Sequence, residues 1–294
     1  MMTTIFSITL GGVMMHLTEA WFTQLPLTGI EQILPVSGGD INAAFRIVTR
    51  HHQYFLKVQP HNNVTFFDHE VAGLQLLGAV IKTPTVIASG TIATDGYLLL
   101  DWLTTGTGSQ SALGKAVATV HQQHQTHFGL DHDFTAGKLP KLNHWQSDWA
   151  TFYTQQRLDV LVNLAKEHHL WSQTRDEHYH RLRQQLLQDP HMHTVQPSLL
   201  HGDLWSGNYL FDTAGTPFLI DPDVFYGDRE MDLAMTTLFG GFDADFYQGY
   251  QAIYPFAPGM QARLPSYQLY YLLAHLNLFG EPYGAAVDRI LMQY

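Results

Sequence analysis

The chain reads as an α+β protein of two lobes, a small antiparallel sheet followed by a mainly helical part. Three features of its 294 residues predict this. Up to Leu103, apolar residues come in short runs separated by Gly, Asn and Asp turns, the pattern of successive hairpins. After Ser109 the apolar residues recur at helical spacing. Between the two lies Thr104-Thr105-Gly106-Thr107-Gly108-Ser109, a Gly/Thr-rich stretch suited to a lobe boundary. The expected division is therefore 16–103 for the sheet lobe and 104–294 for the helical lobe, with 1–15 as an extension.

The extension, MMTTIFSITLGGVMM, lacks the basic leader of a secretory signal and is too short to cross a bilayer. It reads as residues upstream of a start at Met14 or Met15, or as a short strand. From Ile30 to Val58 the pattern is strand, turn, strand, turn, strand. The first turn is Ser37-Gly38-Gly39-Asp40-Ile41-Asn42, where glycine would let the backbone approach nucleotide phosphates closely. Lys57 alternates with Leu56 and Val58, so it faces away from both. Thr65 to Leu77 is a helix with Phe67, Val71, Leu74 and Leu77 on one face, and Glu70 borders that face. A strand lysine with a helix carboxylate is the pair that holds the α and β phosphates in kinases. Val86 to Ser89 and Tyr97 to Leu103 form a further hairpin through Thr94-Asp95-Gly96. The backbone near Asp101 to Leu103 is where adenine would lie.

In the second lobe, Ser109 or Ser111 caps a helix running to His124. His144 to His169 reads as a second helical region and Arg175 to Leu187 as a third. Met231 to Phe239, Phe242 to Tyr254 and Tyr267 to Phe279 follow. His121, His124 and His127 fall at i, i+3 and i+6, but without the Glu partner and third ligand of a metal motif.

The densest chemistry lies in LLHGDLWSGNYLFDTAGTPFLIDPD, residues 199–223. Tyr209-Leu210-Phe211 and Phe218-Leu219-Ile220 read as strands around the Asp212-Thr213-Ala214-Gly215 turn. The hairpin would return Asp221 beside Asn208. His201, Asp203 and Asn208 then match the H-x-D-x-x-x-x-N loop of protein kinases, with Asp221 as the carboxylate after the hairpin. One carboxylate orients the incoming hydroxyl and accepts its proton; an amide oxygen and a second carboxylate suit Mg²⁺. Gly202 stands where protein kinases have Arg, and Asp221-Pro222-Asp223 stands for D-F-G. No activation loop fits between Asp223 and Glu230, which argues against a protein substrate regulated by one. Asp232, in the first turn of the next helix, is placed to accept N–H groups from the loop and stiffen it.

Composition sets outer limits. A net charge of −11 disfavours non-specific binding to nucleic acid or anionic membranes. Absence of cysteine excludes disulfides and thiolate metal sites and fits a reducing cytoplasm.

These motifs carry a family likeness. HGDLWSGN (201–208), IDPDVFYGDREMDLAM (220–235) and FGGFDADFYQGY (239–250) resemble the fructosamine-3-kinase, or ketosamine kinase, family. So do SGGDIN (37–42), HFGLDHDFTAGKLPKLNHW (127–145) and YQLYYLLAHLNLFG (267–280). The family sits among small-molecule kinases with a protein-kinase-like fold, beside aminoglycoside and choline kinases. The resemblance implies ATP- and Mg²⁺-dependent phosphorylation of the sugar 3-hydroxyl of glycated amines, in deglycation. By position, Asp203 resembles the base, Asn208 and Asp221 the Mg²⁺ ligands, Lys57 and Glu70 the phosphate-binding pair, and Ser37 to Asn42 the phosphate loop. Trp205 resembles a substrate-facing aromatic. Asp223 stands where a small residue is expected and could either meet a substrate amino group or sit in solvent. Another small-molecule kinase and a silent nucleotide-binding module remain the alternative readings.

Overall fold

The computed structural model describes residues 5–10, 13–36, 42–62, 64–136 and 138–294. It divides into two compact units, residues 1–107 with 210–220, and residues 108–209 with 221–294.

In the first unit, β1 (Ile5–Leu10) and β2 (Val13–Thr18) form an antiparallel hairpin, followed by the single turn α1 (Glu19–Phe22). The main sheet contains β3 (Ile30–Pro35), β4 (Ala43–Thr49), β5 (Gln53–Gln59), β6 (Val86–Ile92) and β7 (Asp95–Asp101), in the order β3-β4-β5-β7-β6 and antiparallel throughout. Alternation along the strands gives the sheet two apolar faces. Leu56, Val58, Phe45, Ile47 and Leu99 pack with Trp21 and Phe22 of α1 on one. Leu98 and Leu100 pack with Phe67 and Leu74 on the other, beneath α2 (Asp68–Gly78). Each such aliphatic side chain contributes about 1.5–3 kcal/mol on burial.

The β6–β7 turn is shorter than its sequence predicts. Ile92 pairs with Asp95, leaving Ala93 and Thr94 as the turn, with Ala93 at φ 55°. Asp95 is drawn into the strand because its carboxylate accepts from Trp21 Nε1 and from the His61 N–H, each at 3.1 Å.

The second unit opens with α3 (Gln110–His121), capped by Ser109, whose Oγ accepts the Ala112 N–H. A hairpin that the sequence reading missed follows, β8 (Phe134–Ala136) and β9 (Leu139–Lys141). The helical region expected from His144 starts only at α4 (Trp149–Tyr153). Gln146 exchanges two backbone hydrogen bonds with Phe128, which holds it extended, and Asp148 caps the helix by accepting the Thr151 N–H at 2.8 Å. A π-helical turn (Thr154–Leu158) leads into α5 (Asp159–Glu167), and α6 (Gln173–Gln188) follows. The short strand β10 (Ser198–Leu200) leads into the loop 201–208.

β11 (Tyr209–Phe211) and β12 (Pro217–Leu219) then form the expected hairpin. β13 (Phe225–Gly227) pairs antiparallel with β10, setting Leu199 opposite Tyr226. The remaining helices are α7 (Glu230–Thr236), α8 (Ala244–Ile253), α9 (Met260–Phe279) and α10 (Gly284–Leu291). α9 begins seven residues before the expected Tyr267, because Pro265 is accommodated inside it. α3 and α8 approach through glycines: a Cβ on Gly114 would lie 2.0 Å from Phe246 O, and one on Gly249 would lie 2.2 Å from Ser111 O.

Candidate active site

The β10–β13 ladder sets the loop after Leu200 beside the segment before Phe225. The Asp223 N–H donates to His201 O at 2.8 Å. Gly202 has φ 84°, and a Cβ there would meet Asp223 O at 1.8 Å, so only glycine permits this approach. That accounts locally for Gly at the position where protein kinases carry Arg.

Asp232 underlies the loop. Its buried carboxylate accepts the His201 N–H at 2.7 Å and the Gly202 N–H at 2.9 Å. His121 Nε2 lies 3.0 Å from the same carboxylate, and His121 Nδ1 lies 2.8 Å from the Tyr250 hydroxyl. Three elements, α3, α7 and α8, thereby fix two consecutive peptides. His201 Nδ1 accepts the Asp203 N–H at 3.3 Å. A backbone N–H can only donate, so the neutral His201 ring carries its proton on Nε2.

Asn208 closes the loop by donating from Nδ2 to both Asp203 O and Asp203 Oδ2, at 2.9 Å each. Both amide protons point at Asp203, so Oδ1 is the Asn208 atom left to face a cation. Asp221 follows β12 as an exposed residue with φ 51°, a left-handed conformation that Asp adopts more readily than most residues. The Asp203 carboxyl is pushed up to about 7, first by burial and then by the negative charges of Asp223 and Asp221; Lys141 and the Asn208 hydrogen bond oppose the rise. Carboxylates near enough to lift the proton affinity of one of their own make an acidic site in which a bound cation would be stabilised.

Asp223 does not stand open. Its Oδ2 lies 2.5 Å from Lys141 Nζ, which also donates to the Tyr270 hydroxyl at 2.6 Å. Lys141 is buried, which alone would lower its pKa, but the Asp223 carboxylate and the adjacent Tyr270 hydroxyl raise it above the ordinary lysine value. Lys141 comes from the unpredicted β8–β9 hairpin and Tyr270 from α9. Residues so distant in sequence leave no spacing signal, so Asp223 was legible as a charge but its partner was not.

In the first unit Lys57 Nζ lies 2.7 Å from Glu70 Oε1, with side-chain exposures of 8 % and 15 %. Register explains the pairing: Lys57 alternates with Leu56 and Val58 and so emerges on the face that α2 covers. Ser37, Gly38, Gly39 and Asp40 lie outside the described residues. Asn42 lies just before β4, with its Oδ1 buried and without a hydrogen-bond partner among the described residues. The Asp101 N–H donates to Thr85 O and the Trp102 N–H to Gln53 O, so both are committed within the sheet; the Asp101 carboxylate accepts the Thr85 N–H. Leu103 is half-buried, and Trp205 is 41 % exposed. The histidines at 121, 124 and 127 have separate partners, Asp232, Pro197 O and Thr126.

Residues 14–294 match the family model described as fructosamine kinase. The chain is 86 % identical over 280 residues to "Probable ketoamine kinase" of Lactiplantibacillus plantarum, covering 95 % of this chain and 100 % of that one. It is 33 % identical over 279 residues to the chloroplastic protein-ribulosamine 3-kinase of Arabidopsis thaliana, covering 92 % and 85 %. A crystal structure assigned as a fructosamine-3-kinase from Haemophilus somnus 129PT superposes with a TM-score of 0.80 at 28 % identity, over 90 % of this chain and 91 % of that one. A braced H-x-D-x-x-x-x-N loop, a hairpin returning to a carboxylate and a strand-lysine/helix-glutamate pair thus occur in a chain that belongs, over nearly its whole length, to the fructosamine kinase family.

Proposed function

We propose that the protein transfers the γ-phosphoryl group of ATP to the sugar 3-hydroxyl of ketoamines, with Mg²⁺ as cofactor and Asp203 as the base. The observation that carries this reading is the Asp203 carboxylate. It is held by the Asn208 amide in a loop bolted to Asp232, at a pKa near the pH at which a base works best. Asp203 orients the acceptor hydroxyl and takes its proton. The fixed loop makes that orientation part of the folded structure, so little freedom is lost when the acceptor binds. Asn208 Oδ1 and the Asp221 carboxylate would hold Mg²⁺, which when bound neutralises charge on the phosphates. Lys57, steadied by Glu70, would bind the α and β phosphates, with Ser37 to Asn42 as the phosphate loop; since the Asp101 and Trp102 N–H groups are committed within the sheet, the backbone at Leu103 would lie at adenine. Trp205 would face the sugar. Asp223 is assigned to electrostatic balance with Lys141, not to a substrate amine, because its carboxylate already has that cation.

The acceptors are small glycated amines or glycated protein side chains; the relatives' names give ketoamines and protein ribulosamine. Nucleic acid and anionic membranes are not proposed as partners. Among the described residues no helix is long and apolar enough to cross a membrane. We place the protein in the cytoplasm on its cysteine-free composition alone. The test is ADP production with ribulose-lysine, fructose-lysine, an aminoglycoside and choline. Turnover confined to the ketoamines is expected. Turnover confined to the aminoglycoside or choline, or ATP binding with no turnover on any acceptor, would overturn the reading.

A further inference from the structure

An exposed aromatic strip takes no part in the chemistry above. Phe239, in the loop after α7, and Phe279, at the end of α9, are 41 % and 53 % exposed. Both pack on His275, with ring centroids at 4.9 and 5.7 Å, and Tyr283 packs on His275 at 4.9 Å and on Phe279 at 5.9 Å. Exposed aromatic rings that pack on one another form a candidate binding surface.

The two segments that carry the strip both pack on the Asp203 loop or its immediate neighbours. The Gly241 backbone packs on Ser206, where a Cβ would lie 2.2 Å from Ser206 Cβ, and Gly241 O accepts from the Tyr209 hydroxyl at 2.7 Å. Along α9, Tyr271 Oη lies 3.4 Å from Gly202 O, and one turn later His275 Nδ1 lies 2.8 Å from Tyr271 O. That oxygen is a carbonyl and only accepts, so Nδ1 carries the proton. Burial holds the His275 pKa below its ordinary value, so the ring is neutral near pH 7 and does not repel a cation.

We propose that Phe239, His275, Phe279 and Tyr283 form the subsite for the amine-bearing arm of the acceptor. The inference rests on the ketoamine-kinase reading and extends it to substrate selection. In a ketoamine the nitrogen is three bonds from C3. A sugar placed with its 3-hydroxyl at Asp203 therefore carries a secondary ammonium a few ångströms away and an arm running outward. Ring faces attract an ammonium and cover methylenes. A neutral aromatic strip suits a lysine-like arm and offers nothing to a short polar amine. The arm of the acceptor is preferred over a protein partner because the segments that carry the strip pack on the catalytic loop through Gly241 and Tyr271.

The test compares two acceptors with the same sugar. One is the fructose adduct of Nα-acetyl-lysine at its side-chain nitrogen, and the other is the adduct of methylamine. In the wild type, kcat/KM should favour the lysine adduct. Phe279→Ala and Phe239→Ala should each reduce that preference about 5- to 30-fold, with the loss in KM for the lysine adduct and not in kcat. Both side chains are exposed, so their truncation leaves the core intact. A preference unchanged within about twofold would overturn the subsite while leaving the kinase reading standing. So would a change in oligomeric state of these variants on size-exclusion chromatography, which would make the strip a self-association face. Absence of wild-type turnover on either ketoamine would bring down both readings.

Discussion

Asp203 carries two opposed demands. In the proposed role of base it must be charged in use, yet burial and two neighbouring carboxylates hold its proton up to about pH 7. In the unfolded chain that proton leaves near pH 3.9. Between these values the native state binds more protons than the unfolded state, so this group makes stability fall as pH rises from about 4 to about 7. Asp203→Asn removes the charge. Its ligand-free melting temperature should exceed that of the wild type at pH 8 by about 2–4 °C, with the gap shrinking toward pH 4; a variant less stable than wild type at pH 8 would contradict the electrostatic account. Asp232 behaves in the opposite way. Asp232→Ala leaves the His201 and Gly202 N–H groups and His121 without their acceptor in a fully buried site. Losses of about 3 kcal/mol or more in stability are expected from denaturant titration. A loss under about 1 kcal/mol would mean that the loop does not depend on this brace. The motif spacing was enough to single out Asp203, Asn208, Asp221 and Asp232. Lys141, Tyr270 and His121 were not legible as site residues, because their contacts join segments 82, 129 and 111 positions apart, where sequence offers no periodicity to read.

At the level of elements, helix contact is set by what is missing. α3 and α8 meet where Gly114 and Gly249 carry no side chain. Gly114→Ala would place a methyl against the Phe246 carbonyl, and rigid backbone yields less readily than a side-chain tip. The higher helix propensity of Ala, about 1 kcal/mol, is outweighed by overpacking. A net loss of about 1–3 kcal/mol is expected, read by thermal or denaturant unfolding. Because α3 carries His121 and α8 carries Tyr250, turnover should fall with it. Stabilisation by this substitution would show that the helices are free to separate. Periodicity located most of these helices, but their ends were decided by long-range contacts. Gln146 is held extended by Phe128, so α4 starts late; the β8–β9 hairpin is only three residues per strand and left no alternation to find.

For the whole molecule, charge sets the general behaviour. With 26 acidic against 15 basic residues the chain repels itself at low ionic strength. Raising monovalent salt from about 10 to 150 mM, which shortens the screening length from about 30 to 8 Å, should raise the melting temperature; a fall would mean that surface ion pairs outweigh the net charge. The two-part organisation was readable because alternation gives way to helical spacing at a Gly/Thr-rich stretch. The grouping of residues 210–220 with the first unit was not, since a hairpin of three-residue strands carries no sign of where it packs.

The most direct test of the account locates the phosphate. Purified protein is incubated with MgATP and fructose-lysine, and the product is resolved by phosphorus-31 and two-dimensional NMR, with Asp203→Asn run in parallel. The account predicts one phosphate per ADP on the sugar 3-oxygen, formed about 10²–10⁴-fold more slowly by the variant with ATP affinity retained. Phosphate on another oxygen, ADP formed without a sugar phosphate, or undiminished turnover by Asp203→Asn would contradict it.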